Sequence, residues 1–292
     1  MPEQIQFDKR DILRGSLEYF HQYNPGTALW RGIEATCFAE IDLVPPVLDV
    51  GCGDGAFGAL TMYLSRKEAG SKDSKIDMGI DVHSEKFINT WAYKYFLRAD
   101  AIELPFPNGY FNTVISNCVL EHIQDVISAL TEINRVLKDG GRFYITVPSV
   151  YFNQYFLITS LLSKIGMNAV ANRIVKMRNK KLSHHHTLTI GEWQAILTKG
   201  SFELVSHKYI ISKIMQRIVF LIFDIYNIGI GRFTIGNVMR KLDLVCFSYF
   251  NKRLLSLFFH RILGGSFQKE LNCSLNEGAG IFISARKALY SK

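Results

Sequence analysis

Closely spaced cysteines are absent from this sequence of 292 residues. Its five cysteines are scattered and form no CxxC pair: Cys37, Cys52, Cys118, Cys246 and Cys273. This pattern excludes a disulfide framework and a zinc site built on cysteine pairs. It is typical of a protein from a reducing compartment, so we expect a cytoplasmic location.

Long apolar runs are absent too. No stretch of about 18 uncharged apolar residues occurs, so we predict no membrane-spanning helix. The opening segment MPEQIQFDKRDILRG lacks the apolar stretch of a signal peptide. The mean hydropathy is nevertheless +0.08, so the apolar excess must be located elsewhere in the chain.

Acidic residues become scarce in the second half of the chain. Residues 1–149 contain 14 basic and 20 acidic side chains, whereas residues 150–292 contain 20 basic and only 6 acidic ones. Such asymmetry predicts that the second half meets an anionic partner, such as a membrane, a phosphate or a nucleic acid. A solvated basic surface is the alternative interpretation.

Strands alternate with helices between residues 45 and 149. We predict five strands, at 46–50, 76–82, 96–100, 113–119 and 142–147. Helices are predicted at 56–67 and 125–137, and we expect Gly140-Gly141 to end the second one. Alternation of this kind favours an α/β fold with a parallel sheet.

The regular pattern is interrupted twice after Pro148. The predicted organisation is an N-terminal helical segment (1–44), a core (45–149), a lid insertion (150–188), a continuation of the core (189–210), a basic apolar lid insertion (211–276) and a last core strand (277–292). Thr189 and Glu192 form a capping-box pattern that predicts a helix start in the continuation.

A glycine-rich loop follows the first predicted strand. It reads Asp49-Val50-Gly51-Cys52-Gly53-Asp54-Gly55, with glycines that permit a tight turn and close approach of a ligand. The spacing is neither the G-x-G-x-x-G of dinucleotide sites nor a P-loop. An acidic loop favours a cationic ligand over a pyrophosphate.

Two further acids end the next predicted strands. Asp81 is placed to accept hydrogen bonds from ribose hydroxyls, and Asp100 with Ala101 is placed to meet an adenine amino group. Each acid alone could be a turn or a helix cap. Three of them at the carboxyl ends of neighbouring parallel strands predict a site for a nucleoside.

These segments together resemble a known family. VLDVGCGDGAFG, GIDVHSEK, ADAIELPFPNGYFNTVISNCVLEHI and EINRVLKDGGRFYITVPS look like successive motifs of class I S-adenosylmethionine-dependent methyltransferases of the type 11 group. The resemblance implies a Rossmann-like, seven-stranded mixed sheet, with helical lid insertions and with residues 280–285 as its antiparallel strand. It implies S-adenosylmethionine as the cofactor.

The resemblance also implies roles for individual residues. Asp49 and the loop residues Gly51, Cys52, Gly53 and Gly55 would hold the amino-acid part of the cofactor. The ribose and adenine would meet Asp81, Val82, Asp100 and Ala101, and the methionine end would meet Asn117 and Cys118.

Histidines and a glutamate are candidates for catalysis. Glu121 and His122 follow the fourth predicted strand beside the expected methyl group, although LEHI is also an ordinary helix start. A run of three histidines lies at 184–186, and one of its rings could act as a base or hold the acceptor. The favoured candidates are His185 and His186. Because adjacent residues on a loop rarely all converge, we expect no metal site, and a surface loop is the alternative.

The predicted function is methyl transfer from S-adenosylmethionine to a small or lipid-linked acceptor under a helical lid. Four aromatic residues after the fifth strand (Tyr151, Phe152, Tyr155 and Phe156) favour an apolar acceptor, or they pack in the core. The alternatives are an RNA base methyltransferase and a non-catalytic cofactor-binding subunit. Without an RNA-binding module, a nucleic-acid partner is disfavoured.

An apolar helix is predicted up to about residue 228 in the second insertion. Its polar residues form one narrow stripe: Lys213, Gln216, Arg217, Asp224 and Asn227. A second helix is predicted at 252–263. Either the first helix is buried, or part of the lid lies on an anionic membrane, from which a lipid acceptor would enter.

Overall fold

The computed structural model describes most of the chain. The described residues are 9–20, 25–69, 75–83, 90–226, 228–230, 233–242, 261, 270–271 and 275–288. The strands are β1 (Val47–Val50), β2 (Ile76–Asp81), β3 (Tyr93–Arg98), β4 (Phe111–Asn117), β5 (Leu137–Pro148), β6 (Phe202–Ile210), β7 (Gly229–Ile230), β8 (Phe233–Thr234) and β9 (Gly280–Lys287).

Helices precede, separate and follow these strands. They are α1 (Lys9–Phe20), α2 (Pro25–Ala39), α3 (Ala56–Ala69), α4 (Val126–Val136), α5 (Tyr151–Gln154), α6 (Leu157–Lys164), α7 (Asn168–Leu182), α8 (Ile190–Lys199), α9 (Lys213–Tyr226) and α10 (Ile235–Leu242). Two 3₁₀ turns complete the described elements: Thr90–Ala92 precedes β3, and Leu120–His122 follows β4.

One seven-stranded sheet organises the protein, in the order β3-β2-β1-β4-β5-β9-β6. Neighbouring strands from β3 to β5 are parallel, whereas β9 runs antiparallel to both β5 and β6. The predicted mixed sheet with its antiparallel strand near residues 280–285 is therefore confirmed. This order places the carboxyl ends of β1, β2 and β4 next to one another.

Local sequence explains most element boundaries. Asp125 caps α4 by accepting from Ser128 N at 3.1 Å, and Thr189 with Glu192 forms the predicted capping box of α8. The expected stop at Gly140-Gly141 was wrong, because α4 ends at Val136 and both glycines lie inside β5. Hydrogen bonding of β5 to β4, starting at Leu137, ends the helix earlier than the glycines would.

The third strand also begins earlier than predicted. It spans Tyr93–Arg98 instead of 96–100, with only Tyr93 fully buried. An edge strand of this kind pairs on one side only, here with β2, and its mostly exposed side chains show no apolar alternation. The signal for its start was therefore missing from the sequence.

The N-terminal helices belong to the core of the molecule. Ile12 and Leu13 of α1 and Phe38 of α2 are fully buried in the same cluster as residues of α3 and α9. Helix α2 packs between α3 and α9 and so covers one face of the sheet. The division of the chain into domains stays a prediction, but this segment takes part in the main core.

Helix α9 is partly buried, and its exposed face does not coincide with the predicted polar stripe. Gln216, placed in that stripe, is 0% exposed, whereas Ile214 and Leu221 lie at the surface. The helix turns Met215, Gln216, Val219 and Phe220 inward. The helix predicted at 252–263 lies almost entirely outside the described residues. Within the part of the chain that the structure describes, no helix is long and apolar enough to cross a bilayer.

Candidate active site

A cavity of about 1230 Å³ opens at the carboxyl ends of β1, β2 and β4. Its floor is the loop that follows β1, and its sides come from the residues after β2, β3 and β4. Two walls come from elsewhere in the chain: Phe20, Thr27 and Arg31 from the N-terminal helices, and Leu182 and Ser183 from the end of α7. The ends of neighbouring parallel strands are where open α/β sheets bind ligands.

The glycine loop has the backbone that only glycine adopts readily. Gly51 has a φ of +78°, and a Cβ at this position would lie 2.3 Å from Val119 Cγ2. Gly53 has a φ of +57° with open space beside it, and its N–H donates to Asp81 Oδ2 at 3.0 Å. The loop is therefore held to β2 while its surface stays accessible from the cavity.

Asp49 is a buried carboxyl group at the base of the loop. Tyr93 Oη donates to its Oδ2 at 2.6 Å. Burial raises the pKa of Asp49 to about 7, against the lowering effect of the Tyr93 hydrogen bond, and the nearby Asp81 adds to the rise. A cationic ligand group beside Asp49 would favour its ionised form.

The predicted nucleoside residues line one end of the cavity. The Asp81 carboxylate accepts from the N–H groups of Gly53 and His83, at 3.0 and 2.7 Å, which fixes its orientation. Val82 is 41% exposed, and Ile102, which follows Asp100 and Ala101, is 43% exposed. These two apolar side chains offer walls for a flat ring. Sequence reasoning missed Ile102, although its position next to the predicted pair was a usable signal.

A buried polar network closes the opposite end. Arg31 Nη1 donates to Glu34 Oε2 at 2.6 Å and to Asn117 Oδ1 at 2.7 Å. Cys118 Sγ donates to Glu34 Oε1 at 2.9 Å, and Asn117 Nδ2 donates to Thr146. The predicted residues Asn117 and Cys118 thus lie in the cavity wall, tied to α2 by Arg31 and Glu34. Sequence reasoning missed this pair, because Arg-x-x-Glu on a helix usually indicates a solvated ion pair.

The surroundings of Arg31 and Cys118 shift the pKa values of both side chains. Burial lowers the pKa of Arg31, but Glu34 and Cys118 outweigh it and the pKa lies above its ordinary value. Burial, followed by the Glu34 charge, raises the pKa of Cys118 well above its usual range. Cys118 is therefore a neutral thiol and not a nucleophile, although its backbone has the unusual φ of 49°.

Glu121, His122 and His184 meet beside the network. Glu121 is 1% exposed, and burial raises its pKa to about 8. His122 lines the cavity, with Nε2 3.7 Å from Glu121 Oε1, and burial lowers its pKa. His184, on the loop after α7, packs its ring 5.0 Å from that of His122, and burial lowers its pKa to about 4.

The other two histidines of the run hold the loop without lining the cavity. The backbone N–H groups of His185 and His186 both donate to the Glu121 carbonyl, at 2.7 and 3.3 Å. The His186 ring lies within hydrogen-bonding distance of the Ile123 carbonyl, at 3.0 Å. None of the three rings of the run belongs to the described cavity lining. His184 is the one that packs against the cavity residue His122, so it lies nearer to the site than the favoured pair.

The aromatic residues after β5 pack against other aromatic rings and do not line the cavity. Phe152 contacts the rings of Trp30, His184 and Phe220. Tyr155 and Phe156 are buried, and none of the four predicted aromatic residues is part of the described lining. Core packing, the alternative that we left open, is their role.

The residues around the cavity fit S-adenosylmethionine. This cofactor carries ribose hydroxyls, an adenine amine and a methionine ammonium, each of which is a hydrogen-bond donor. Asp100, Asp81 and Asp49 lie at the ends of the neighbouring strands β3, β2 and β1 and supply carboxyl acceptors to the cavity. This is the order in which the adenine, the ribose and the methionine follow one another in the cofactor. The open space beside Gly53 leaves room for the cofactor to approach the loop closely.

Comparisons with known proteins agree with this fit. The family described as "Methyltransferase domain" matches residues 48–145. An uncharacterized methyltransferase of Mycobacterium bovis is 35% identical over 96 residues, which cover 32% of this chain and 46% of the relative. The 27-O-demethylrifamycin SV methyltransferase of Amycolatopsis mediterranei is 29% identical over 167 residues, covering 54% and 53%. The chain thus spans about half the length of these curated relatives.

A solved structure confirms the fold. A methyltransferase of Thermotoga maritima, described as S-adenosylmethionine-dependent and as a possible histamine N-methyltransferase, superposes with a TM-score of 0.50. The identity is 12%, over 94% of this chain and 98% of that chain, so this likeness shows the fold alone. The family match to residues 48–145 carries the assignment of the domain and of its cofactor.

Proposed function

Because residues 48–145 form a class I S-adenosylmethionine-dependent methyltransferase domain, we propose that the whole protein transfers a methyl group to a small or lipid-linked acceptor. The methyl group goes to a hydroxyl oxygen or a ring carbon of that acceptor. The observation that carries this proposal is the arrangement of the cavity, which joins the three carboxyl groups of a nucleoside site to the Glu121–His122 pair.

Each part of the cavity has its own task. When bound, S-adenosylmethionine would supply a methyl group on a sulfonium: the acceptor atom would bond to that carbon as the carbon–sulfur bond breaks, and the electron pair of the broken bond would stay on the sulfur of the departing thioether. Asp81 would orient the ribose, and Asp49 would face the ammonium group. The network of Arg31, Glu34 and Asn117 keeps the methionine end in place and dry, since it fills that wall with paired groups.

The Glu121–His122 pair activates the acceptor. An acceptor hydroxyl must lose its proton as it attacks, and His122 is the histidine of the pair that faces the cavity. Glu121 is buried behind it, with Oε1 3.7 Å from Nε2, and the Ser183 carbonyl, 3.1 Å from Nδ1, holds the ring in position. His184 supplies a third group at this point, whereas His185 and His186 position the loop through their backbone.

The acceptor reaches the site beside the α6–α7 hairpin, and that hairpin supports a lipid-linked acceptor. Its apolar side chains are exposed, with Ile165 71% exposed at the tip; the others are Leu157, Ile158, Leu161, Met167, Val170 and Met177. Between residues 150 and 188 the sequence has six basic residues and no acidic one. Apolar tips with positive flanks are suited to the surface of an anionic membrane.

Calorimetry and turnover test the enzymatic proposal. We expect S-adenosylmethionine and its demethylated product to bind, and labelled cofactor to methylate a component of a metabolite and lipid extract. Replacing His122 by Ala should lower turnover by roughly 10²–10⁴ while cofactor binding stays normal. Intact cofactor binding with no turnover in any extract would favour the non-catalytic subunit instead.

Sedimentation with liposomes tests the membrane contact. Binding to anionic vesicles should fall with salt and with a triple charge reversal of Arg173, Lys176 and Lys180, which are all exposed on α7. Reversing Lys138, Arg142 and Lys199, which are exposed outside the hairpin, changes the net charge equally and should leave vesicle binding in place. Salt-sensitive binding of RNA, without vesicle binding, would overturn the membrane contact and favour an RNA acceptor.

A further inference from the structure

Three potential ligand atoms converge where the lid loop meets the core. Glu121, His122 and His184 each offer a donor atom, and these atoms lie within 4.8 Å of one another. We propose that Glu121, His122 and His184 bind a divalent transition-metal cation of the zinc class at the acceptor end of the cavity. This inference rests on the proposed function, and it replaces direct proton transfer to His122 by activation through the bound ion, because His122 Nε2 would then be a metal ligand.

Unsatisfied buried atoms are the first argument. Glu121 Oε2 and His184 Nδ1 are both buried and have no hydrogen-bond partner within the described part of the chain. Glu121 is 1% exposed, so water does not reach its carboxyl group easily. Buried polar atoms are almost always paired, so unpaired atoms on two residues of the same cluster indicate a missing cation or donor.

The tautomer of His122 is the second argument. Its Nδ1 lies 3.1 Å from the Ser183 carbonyl oxygen, which can only accept, so Nδ1 carries the hydrogen. The neutral ring then directs the lone pair of Nε2 towards Glu121 Oε1, 3.7 Å away. When the Glu121 carboxyl group is ionised, as metal ligation requires, the two atoms face each other as acceptors and leave room for an ion about 2 Å from each. A second hydrogen bond of this kind, from ring to carbonyl, is what orients metal-binding histidines.

The supporting scaffold is the third argument. The backbone N–H groups of His185 and His186 donate to the Glu121 carbonyl and join the loop after α7 to the turn after β4. Both ligand-bearing segments are therefore held together before any ion binds. Arg31, the nearest strong cation of the network, is paired with Glu34 at 2.6 Å.

The donor set selects the kind of ion. One carboxylate and two imidazoles suit zinc, cobalt, iron or manganese, whereas calcium and magnesium prefer oxygen ligands alone. Three protein ligands leave coordination positions free, as in catalytic zinc sites. Because His122 lines the cavity, a free position would face the acceptor and could take its oxygen.

Cobalt absorption and zinc calorimetry on the full chain, after dialysis against a chelator, test the site. One equivalent of Co²⁺ should give visible d–d bands, and zinc should displace it and raise Tm. Glu121→Gln and His184→Ala should each weaken Zn²⁺ binding at least tenfold. His185→Ala, which changes the next ring of the run, should bind Zn²⁺ like the parent chain.

Two results would overturn the metal site. One is a parent chain that binds neither Co²⁺ nor Zn²⁺ at submillimolar concentration, and the other is unchanged affinity in a Glu121→Gln, His184→Ala double variant. Cofactor calorimetry separates this failure from that of the proposed function. If S-adenosylmethionine binds and turnover persists in the chelator, the enzyme stands and the three groups act without a metal.

Discussion

The two ends of the cavity differ in how the chain builds them. The nucleoside end comes from consecutive strand ends and is held mainly by backbone hydrogen bonds, such as those that Gly53 and His83 donate to Asp81. The acceptor end joins distant segments through side chains, with Arg31 from α2 and His184 from the loop after α7. A change at the first end should therefore reduce ligand affinity, whereas a change at the second should reduce stability.

The largest effect is expected from breaking the partly buried ion pair of Arg31 and Glu34 at the acceptor end. Arg31→Met leaves the carboxylate of Glu34, 1% exposed, without its charge partner, and should lower the free energy of unfolding by about 4 kcal/mol. The double variant Arg31→Met, Glu34→Met replaces both charges by apolar groups and should regain most of that loss. Denaturant unfolding of the three proteins measures it. Equal stability of single variant and parent would contradict a structural role for the pair.

The next largest effect concerns the nucleoside end. Asp81→Ala removes the expected ribose contact and the acceptor of two loop N–H groups, and should weaken S-adenosylmethionine binding roughly 100-fold, about 3 kcal/mol. Asp77→Asn is the control, because Asp77 lies on the same strand and also accepts two hydrogen bonds, from Val47 and Lys94, outside the cavity. Its affinity for the cofactor should not change. Calorimetry that shows equal losses in both variants would refute the ribose role.

The same difference explains how much the sequence could predict. Asp49, the glycine loop and Asp81 were found because the turn after a parallel strand has its own local chemistry, readable in a few residues. Arg31 carries no local signal, and the histidine run at 184–186 does not show which of its rings reaches the site, since the partners of both lie far along the chain. The helical wheel of α9 predicted a polar stripe but could not show which side of the helix faces the core. Packing of α9 against α2 places Gln216 inside and Leu221 outside.

A third effect reverses the usual sign of a mutation at a binding site. Burial raises the pKa of Asp49 to about 7, so the folded protein binds a proton that the unfolded chain has lost above pH 4. Stability from this group is therefore full below about pH 4 and is lost as pH rises towards 7. Asp49→Asn should remove this loss. Between pH 5 and pH 8, the free energy of unfolding of the cofactor-free variant should therefore fall by about 2 kcal/mol less than that of the parent.

Urea unfolding at both pH values checks the Asp49 prediction. The variant should be more stable than the parent at pH 8, with a smaller difference at pH 5, and it should bind S-adenosylmethionine more weakly. The isosteric amide can still accept from Tyr93, which lies 2.6 Å away in the parent. A parent and variant with parallel pH profiles would show that Asp49 is ionised in the folded protein at pH 5.

The smallest effect concerns the contact that fastens the lid to the core. The Arg178 guanidinium lies 3.9 Å from the ring centre of Phe156 and 4.3 Å from that of Phe220, so it joins α7 to α9. Burial of the stacked guanidinium lowers the pKa of Arg178, and the charge of Asp224 opposes this shift. Arg178→Lys keeps the charge but loses the flat face that stacks on both rings. The free energy of opening the lid should then fall by about 1 kcal/mol. Amide hydrogen exchange in α7 should become faster than in the parent, while exchange in β5 should not change. Arg173→Lys, at an exposed position on the same helix, should exchange like the parent, and equal exchange in both variants would mean that stacking does not hold the lid.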